Sequence, residues 1–140
     1  MVSQSASAHE PAILALNAAG GIAESWTATR LVQEASRIAS GLSALGIQPG
    51  DRVAVLVPPG PRFFALMHGM LQLGAVMVLI DPGMGLKGLA ACLKQADPVA
   101  FIGSPKALLA RKLFGWCPQV RWVLRVGGFF PGVRSTDKLP

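Results

Sequence analysis

Two rhythms of apolar residues alternate along this chain. Leu31, Ala35, Ile38, Leu42 and Leu45 are spaced by alternating fours and threes, which draws one continuous stripe down a helix, with Gln33, Glu34, Ser36, Arg37 and Ser40 on its other faces. Thr27 stands where a hydroxyl can cap that helix, and Gly46 where its end calls for a left-handed residue, letting Ile47 fold back onto Leu42. Pro49-Gly50-Asp51 is turn chemistry, and residues 52–57 form a short β-branched run that predicts a strand. The pattern then repeats. Pro58-Pro59-Gly60-Pro61 is a loop, 62–73 a helix stopped by Gly74, 75–80 a strand ended by Asp81-Pro82-Gly83, 86–96 a helix and 99–102 a strand. Ser104-Pro105 opens a helix to about Leu113, and 120–126 is a last strand before Gly127-Gly128.

Strands separated by single helices predict parallel βαβ units, and strand cores without a polar alternation fit a sheet covered on both faces. Upstream, 11–16 and 22–26 flank Asn17-Ala18-Ala19-Gly20-Gly21, a hairpin pattern. The expected fold class is therefore α/β, a partial doubly wound parallel sheet with helices on both faces, preceded by a β-hairpin. Residues 1–10 read as a disordered tail, 11–128 as the α/β unit, and 129–140, which lack periodicity, as an irregular tail.

Composition sharpens this picture in one respect. Half of the 140 residues are hydrophobic and only 14% are charged, against an average nearer ~25%. Either a membrane segment or an apolar face meant for missing partner surface accounts for such a balance. The longest apolar run, Phe63 to Ile80, just reaches the length of a membrane span, but His68 and Gln72 interrupt it and Gly69 and Gly74 break it. A helix joined to a strand explains the run, so no integral membrane segment is expected. The start of the chain lacks the basic and apolar regions of a secretory signal. Cys92 and Cys117 stand far apart without ligand-type neighbours, which argues against a disulfide scaffold or a metal site and for a cytoplasmic location. Net charge is +6. The basic excess lies after Leu86, but it forms no cluster and no aromatic platform is interleaved with it, so nucleic acid is not an expected partner.

Candidate chemistry is sparse. Gly83-Met84-Gly85-Leu86-Lys87-Gly88 matches the spacing of a dinucleotide loop between strand and helix. It lacks the acidic residue about 20 positions on that holds a ribose, and Asp81-Pro82 lengthens the turn, so a plain strand-to-helix loop is the expected reading, with Lys87 near any anionic group. His68 reads as a packing residue of an apolar helix, His9 as part of the tail, Cys92 as core beside Leu89 and Leu93, and Met67, Met70, Met77 and Met84 as core or loop fillers. No nucleophile–histidine–carboxylate pattern and no carboxylate pair emerges.

From Trp26 to Val126 the order of these pieces resembles the early part of the acyl-adenylate-forming enzymes, the AMP-dependent synthetase and ligase family. The resemblance lies in Trp26-Thr27, the helix carrying Leu31 and Leu42, the run from Leu45 to Val55, Leu73-Gly74-Ala75-Val76, Leu89 with Leu93, and Ala100-Phe101-Ile102. Val57-Pro58-Pro59-Gly60-Pro61, Phe63-Phe64-Ala65-Leu66, Asp81-Pro82-Gly83-Met84-Gly85 and Ile102-Gly103-Ser104-Pro105-Lys106-Ala107 look like fatty acyl-CoA ligases and olefin β-lactone synthetases. Arg30 replaces a commonly acidic residue, and Pro59-Gly60 stand where the wider family often has Asn-Ser.

The resemblance implies ATP-dependent conversion of a carboxylate to an acyl-adenylate, with ATP and Mg2+ as cofactors of the complete enzyme. It also implies a Ser/Thr/Gly-rich phosphate loop ending in Pro-Lys, a metal-holding glutamate, a ribose-binding aspartate and a late lysine, and none of these motifs stands in this sequence. No catalytic, cofactor-binding or metal residue is therefore assigned, and no cofactor is expected to bind this chain by itself. The expected role is an N-terminal part of such a ligase, inactive alone, with the remainder of the ligase or a full-length relative as partner. The alternative is a non-catalytic binding or regulatory module docking on a ligase chain.

Overall fold

A computed structural model describes residues 10–140. The expected 1–10 tail lies outside the described residues except for Glu10, and so does His9. Strands β1 (Pro11–Leu16) and β2 (Ile22–Thr27) pair antiparallel as a separate hairpin. Its turn is tied by the Asn17 side chain, whose Oδ1 accepts from the amides of Ala19 and Gly21 at 3.0 and 2.9 Å.

Helix α1 (Ala28–Leu45) begins and ends on the devices the sequence supplies. Thr27 Oγ1 accepts from the Arg30 amide at 3.1 Å. At the other end Gly46 takes φ 112°, its amide donates to Ser43 O and the Ile47 amide donates to Leu42 O. A side chain at Gly46 would meet the left-handed penalty, so glycine fixes where the helix stops.

The chain then builds β3 (Arg52–Leu56), α2 (Pro61–Leu73), β4 (Val76–Leu79), α3 (Gly85–Ala96), β5 (Ala100–Gly103), α4 (Pro105–Phe114) and β6 (Trp122–Arg125). A short strand β7 (Arg134–Ser135) follows. The sheet order is β4-β3-β5-β6-β7, and every neighbouring pair is parallel. Alternate residues of the strands feed two cores. Val53 and Val55 of β3, Ala100 and Ile102 of β5 and Leu124 of β6 face α1 and α2, where Ile38, Leu42, Leu66 and Met70 meet them. Ala54 and Phe101 face the other way, toward Leu89 and Leu93 of α3 and Leu108 of α4. Helix, sheet and helix thus form three layers, the expected α/β fold.

The segment after Gly128, expected to be irregular, carries β7 and a single 3-10 turn over Thr136–Lys138. It straps α1 and α2. Arg37 Nη1 donates to Thr136 O at 3.0 Å, and Leu139 lies buried against α1 at Gly41. Arg62 and Asp137 also meet at 3.2 Å, but both are well exposed and such a pair contributes little. A two-residue strand is too short to show a period, so the pattern of the sequence could not announce it.

Two residue assignments differ from expectation. His68 is exposed. It lies about 200° around α2 from both Leu66 and Met70, off the face that Ala65, Leu66, Gly69 and Met70 turn inward. Cys92 is only half-buried, at the border of the face that Leu89 and Leu93 bury, and its thiol lies 3.9 Å from Met84 Sδ. The buried thiol is that of Cys117.

Candidate functional site

Helices on opposite faces define where a cleft opens in an open parallel sheet. The connection after β3 enters α2 on one face, whereas those after β4 and β5 enter α3 and α4 on the other. β3 is flanked on both sides by strands whose helices leave the opposite way. The carboxyl ends of β3, β4 and β5 therefore part, which is where ligands bind in this architecture.

A cleft of about 640 Å3 occupies that place. Its floor is Val55, Leu56 and Val57 at the end of β3, with Pro58, Pro59 and Phe63 on one side. Leu79, Ile80 and Asp81 close the β4 side, and Ser104, Lys106 and Ala107 bring in the start of α4. The lining is apolar except at its rim. Ser104 is committed to the helix, its Oγ accepting from the Ala107 amide at 3.3 Å. The exposed Lys106 is the cleft's one cation. The cleft suits an apolar body rather than a polyanion.

The Gly83–Gly88 loop lies just beyond β4. Its first amide is already satisfied, since Asp81 Oδ1 accepts from Gly83 N at 2.8 Å while Pro82–Met84 form a 3-10 turn. A phosphate there would meet the Asp81 carboxylate beside the uncapped first turn of α3, and that like charge opposes a dinucleotide pyrophosphate. Nor do these residues fit Mg2+: among the described residues no three His, Cys, Asp or Glu side chains gather to hold a metal ion. Among the described residues, no helix is long and apolar enough to cross a membrane.

Sequence reasoning quoted Asp81, Ser104 and Lys106 as parts of longer runs without bringing them together. The signal that does so is positional: each follows the carboxyl end of a parallel strand. Cys117 is a second residue whose setting only the fold discloses. It takes φ 49°, unusual for a non-glycine residue, and is nearly closed from solvent. Burial pushes its thiol above the ordinary 9.0, the nearby Arg111 guanidinium opposing and Asp97 adding to the rise. The folded protein therefore holds this proton more tightly than the unfolded chain does. The stability so conferred is complete below pH 9 and declines as pH climbs through the raised value. Urea midpoints for the parent and Cys117→Ser should show a steeper alkaline decline in the parent. Parallel curves above pH 9 would refute the effect.

The geometry defines an open parallel α/β domain with an apolar cleft at its switch point. The chain belongs to the AMP-binding enzyme family, whose profile matches residues 3–129. It is 48% identical over 91 residues to the olefin β-lactone synthetase of Xanthomonas campestris, covering 65% of this chain and 16% of that protein. It is 39% identical over 74 residues to a long-chain-fatty-acid–CoA ligase of Mycobacterium tuberculosis, covering 52% of this chain and 15% of the relative. The amide bond synthetase of Marinactinospora thermotolerans superimposes with a TM-score of 0.73 at 25% identity, over 91% of this chain and 25% of that structure. The chain thus spans about a sixth of the length of the curated relatives it matches.

Proposed function

We propose that this chain is the N-terminal scaffold of an ATP-dependent acyl-activating ligase, of the fatty acyl-CoA ligase or olefin β-lactone synthetase type. In the complete enzyme a carboxylate would be converted to its acyl-adenylate with ATP and Mg2+. In this reading the chain contributes no catalytic, cofactor-binding or metal residue of its own. Carboxylate attack on an α-phosphate needs donors and cations preorganised around the developing charge. The observation that carries the proposal is the cleft. It offers apolar walls and one exposed ammonium, Lys106, at the end of a sheet whose neighbouring glycine loop has its first amide, that of Gly83, bonded to the Asp81 carboxylate. Its similarity to the early part of much longer ligases supports the same reading.

The isolated chain should therefore give only background in an ATP–pyrophosphate exchange assay with medium- and long-chain fatty acids. Exchange well above a no-protein control, abolished by boiling, would defeat the proposal.

A further inference from the structure

We infer that a second cavity, at the amino ends of β5 and β6, binds a small planar aromatic carboxylate. This site goes beyond the proposed function and does not depend on it, because it lies at the end of the sheet opposite the switch-point cleft.

The cavity holds about 350 Å3. Ala90, Leu93 and Lys94 from the second half of α3 form one wall, and the loop from Phe114 to Gln119 after α4 forms the other. That loop is tied in place. Arg111 Nη2 donates to Cys117 O at 3.0 Å, and Gln119 Nε2 donates to Asp97 Oδ1 at 2.9 Å, just past the end of α3. The walls therefore stand before any ligand arrives, and the volume falls in the range of small-molecule sites.

Three of its groups define the ligand. Trp116 is only 6% exposed, yet no atom among the described residues accepts from its Nε1–H. A buried tryptophan usually finds such a partner. Among the described residues, the polar side-chain atoms sealed off without one are Arg111 Nε and Arg125 Nε. The indole N–H therefore reaches open space, and the cavity is the open space that this ring borders. It calls for an acceptor. Phe114 stacks on Trp116 with ring centres 5.5 Å and planes 26° apart, and it remains 51% exposed. Its free face suits a flat ring. Lys94 is exposed on the rim and pairs with no carboxylate among the described residues, and the lining itself contains none. Its ammonium favours an anion. An aromatic carboxylate meets all three groups at once, one oxygen on the indole N–H and the charge toward Lys94.

The test is calorimetric titration of this chain with 2-naphthoate, set against its neutral carboxamide and against decanoate. The Kd expected for 2-naphthoate is about 0.1–1 mM, an ordinary efficiency for so small a ligand. The carboxamide should bind about tenfold more weakly, and decanoate no better than the carboxamide. Ala90→Phe fills the cavity from an exposed position of α3 and should abolish binding while leaving circular dichroism and the urea midpoint unchanged. Lys94→Gln should erase the preference for acid over carboxamide. Trp116→Phe keeps a ring, removes the N–H and should weaken 2-naphthoate about tenfold. Ala90 and Lys94 are both exposed, so two of the three variants probe the site without touching the core. Lys106→Ala, in the switch-point cleft, should change none of these affinities.

Absence of saturable binding, binding that survives Ala90→Phe, equal affinity for acid and carboxamide, or tighter binding of decanoate each overturns the site. Binding that Lys106→Ala removes assigns the ligand to the other cleft and overturns it as well. None of these outcomes touches the proposed function, which stands or falls on pyrophosphate exchange.

Discussion

Replacing Gly69 by valine should unfold this protein or bring it to the verge of unfolding. Gly69 lies in the middle of α2 where that helix crosses α1 most closely. A Cβ there would stand 2.7 Å from the carbonyl oxygen of Ala35 and 3.0 Å from both Cβ and Cγ2 of Ile38. The first neighbour is backbone and the second is branched at the point of contact, so neither gives way cheaply. On an isolated helix the exchange would help, since glycine costs up to ~1 kcal/mol relative to a better helix former. The steric cost runs the other way. Overpacking of this kind costs about 1–3 kcal/mol where a core adjusts, and more where backbone must move. Separating α1 from α2 would also open the seam that Ile38, Leu42, Leu66 and Met70 fill. We expect a loss of at least about 3 kcal/mol in urea unfolding. Gln72→Val, on the exposed face of the same helix, should change stability by no more than about 0.5 kcal/mol. Equal effects at the two positions would show that the helices do not meet as described.

Phe101→Ala should be the most damaging truncation on the other side of the sheet. Phe101 sits in the middle of β5, itself the middle strand of five, and is fully buried. Its ring lies among Leu89, Leu93, Leu108 and Trp116, with the Arg111 guanidinium 5.8 Å from its centre. Strands flank it on both sides and helices cover its face, so the hole left by alanine has little freedom to collapse. Such truncations cost about 3–5 kcal/mol, a large share of the ~5–15 kcal/mol that holds a domain together. The expected outcome is a protein that retains helical circular dichroism but loses its cooperative urea transition or shifts it to much lower denaturant. A loss under about 1 kcal/mol would mean that this core tolerates a void, contrary to its packing.

The sequence announced most of the architecture because its signals are local. The stripe from Leu31 to Leu45, the Thr27 and Ser104 caps and the glycine at 46 each act within a turn or two, and each stands in the structure where its spacing places it. Periodicity reports which face of an element is buried but not which strand lies beside it. The order β4-β3-β5-β6-β7 therefore had to come from the fold. So did the cleft, since Leu79, Lys106 and Val57 are brought together only by that order. The sequence points His68 to packing because the run around it is apolar almost throughout. In such a run the buried side of a helix is set by its neighbours, and here they leave His68 outside. Cys92 marks the same limit at a helix border.

The strand order has a consequence for how the polypeptide is made. β3 emerges first of the five; β4 then joins it on one flank and β5 on the other, and β6 and β7 extend the β5 side. Every newcomer finds its neighbour already synthesised, and none must wait for a partner still inside the ribosome. Growth from a centre outward lets a nascent chain bury each new strand as it appears, which shortens the interval during which it is prone to misassemble.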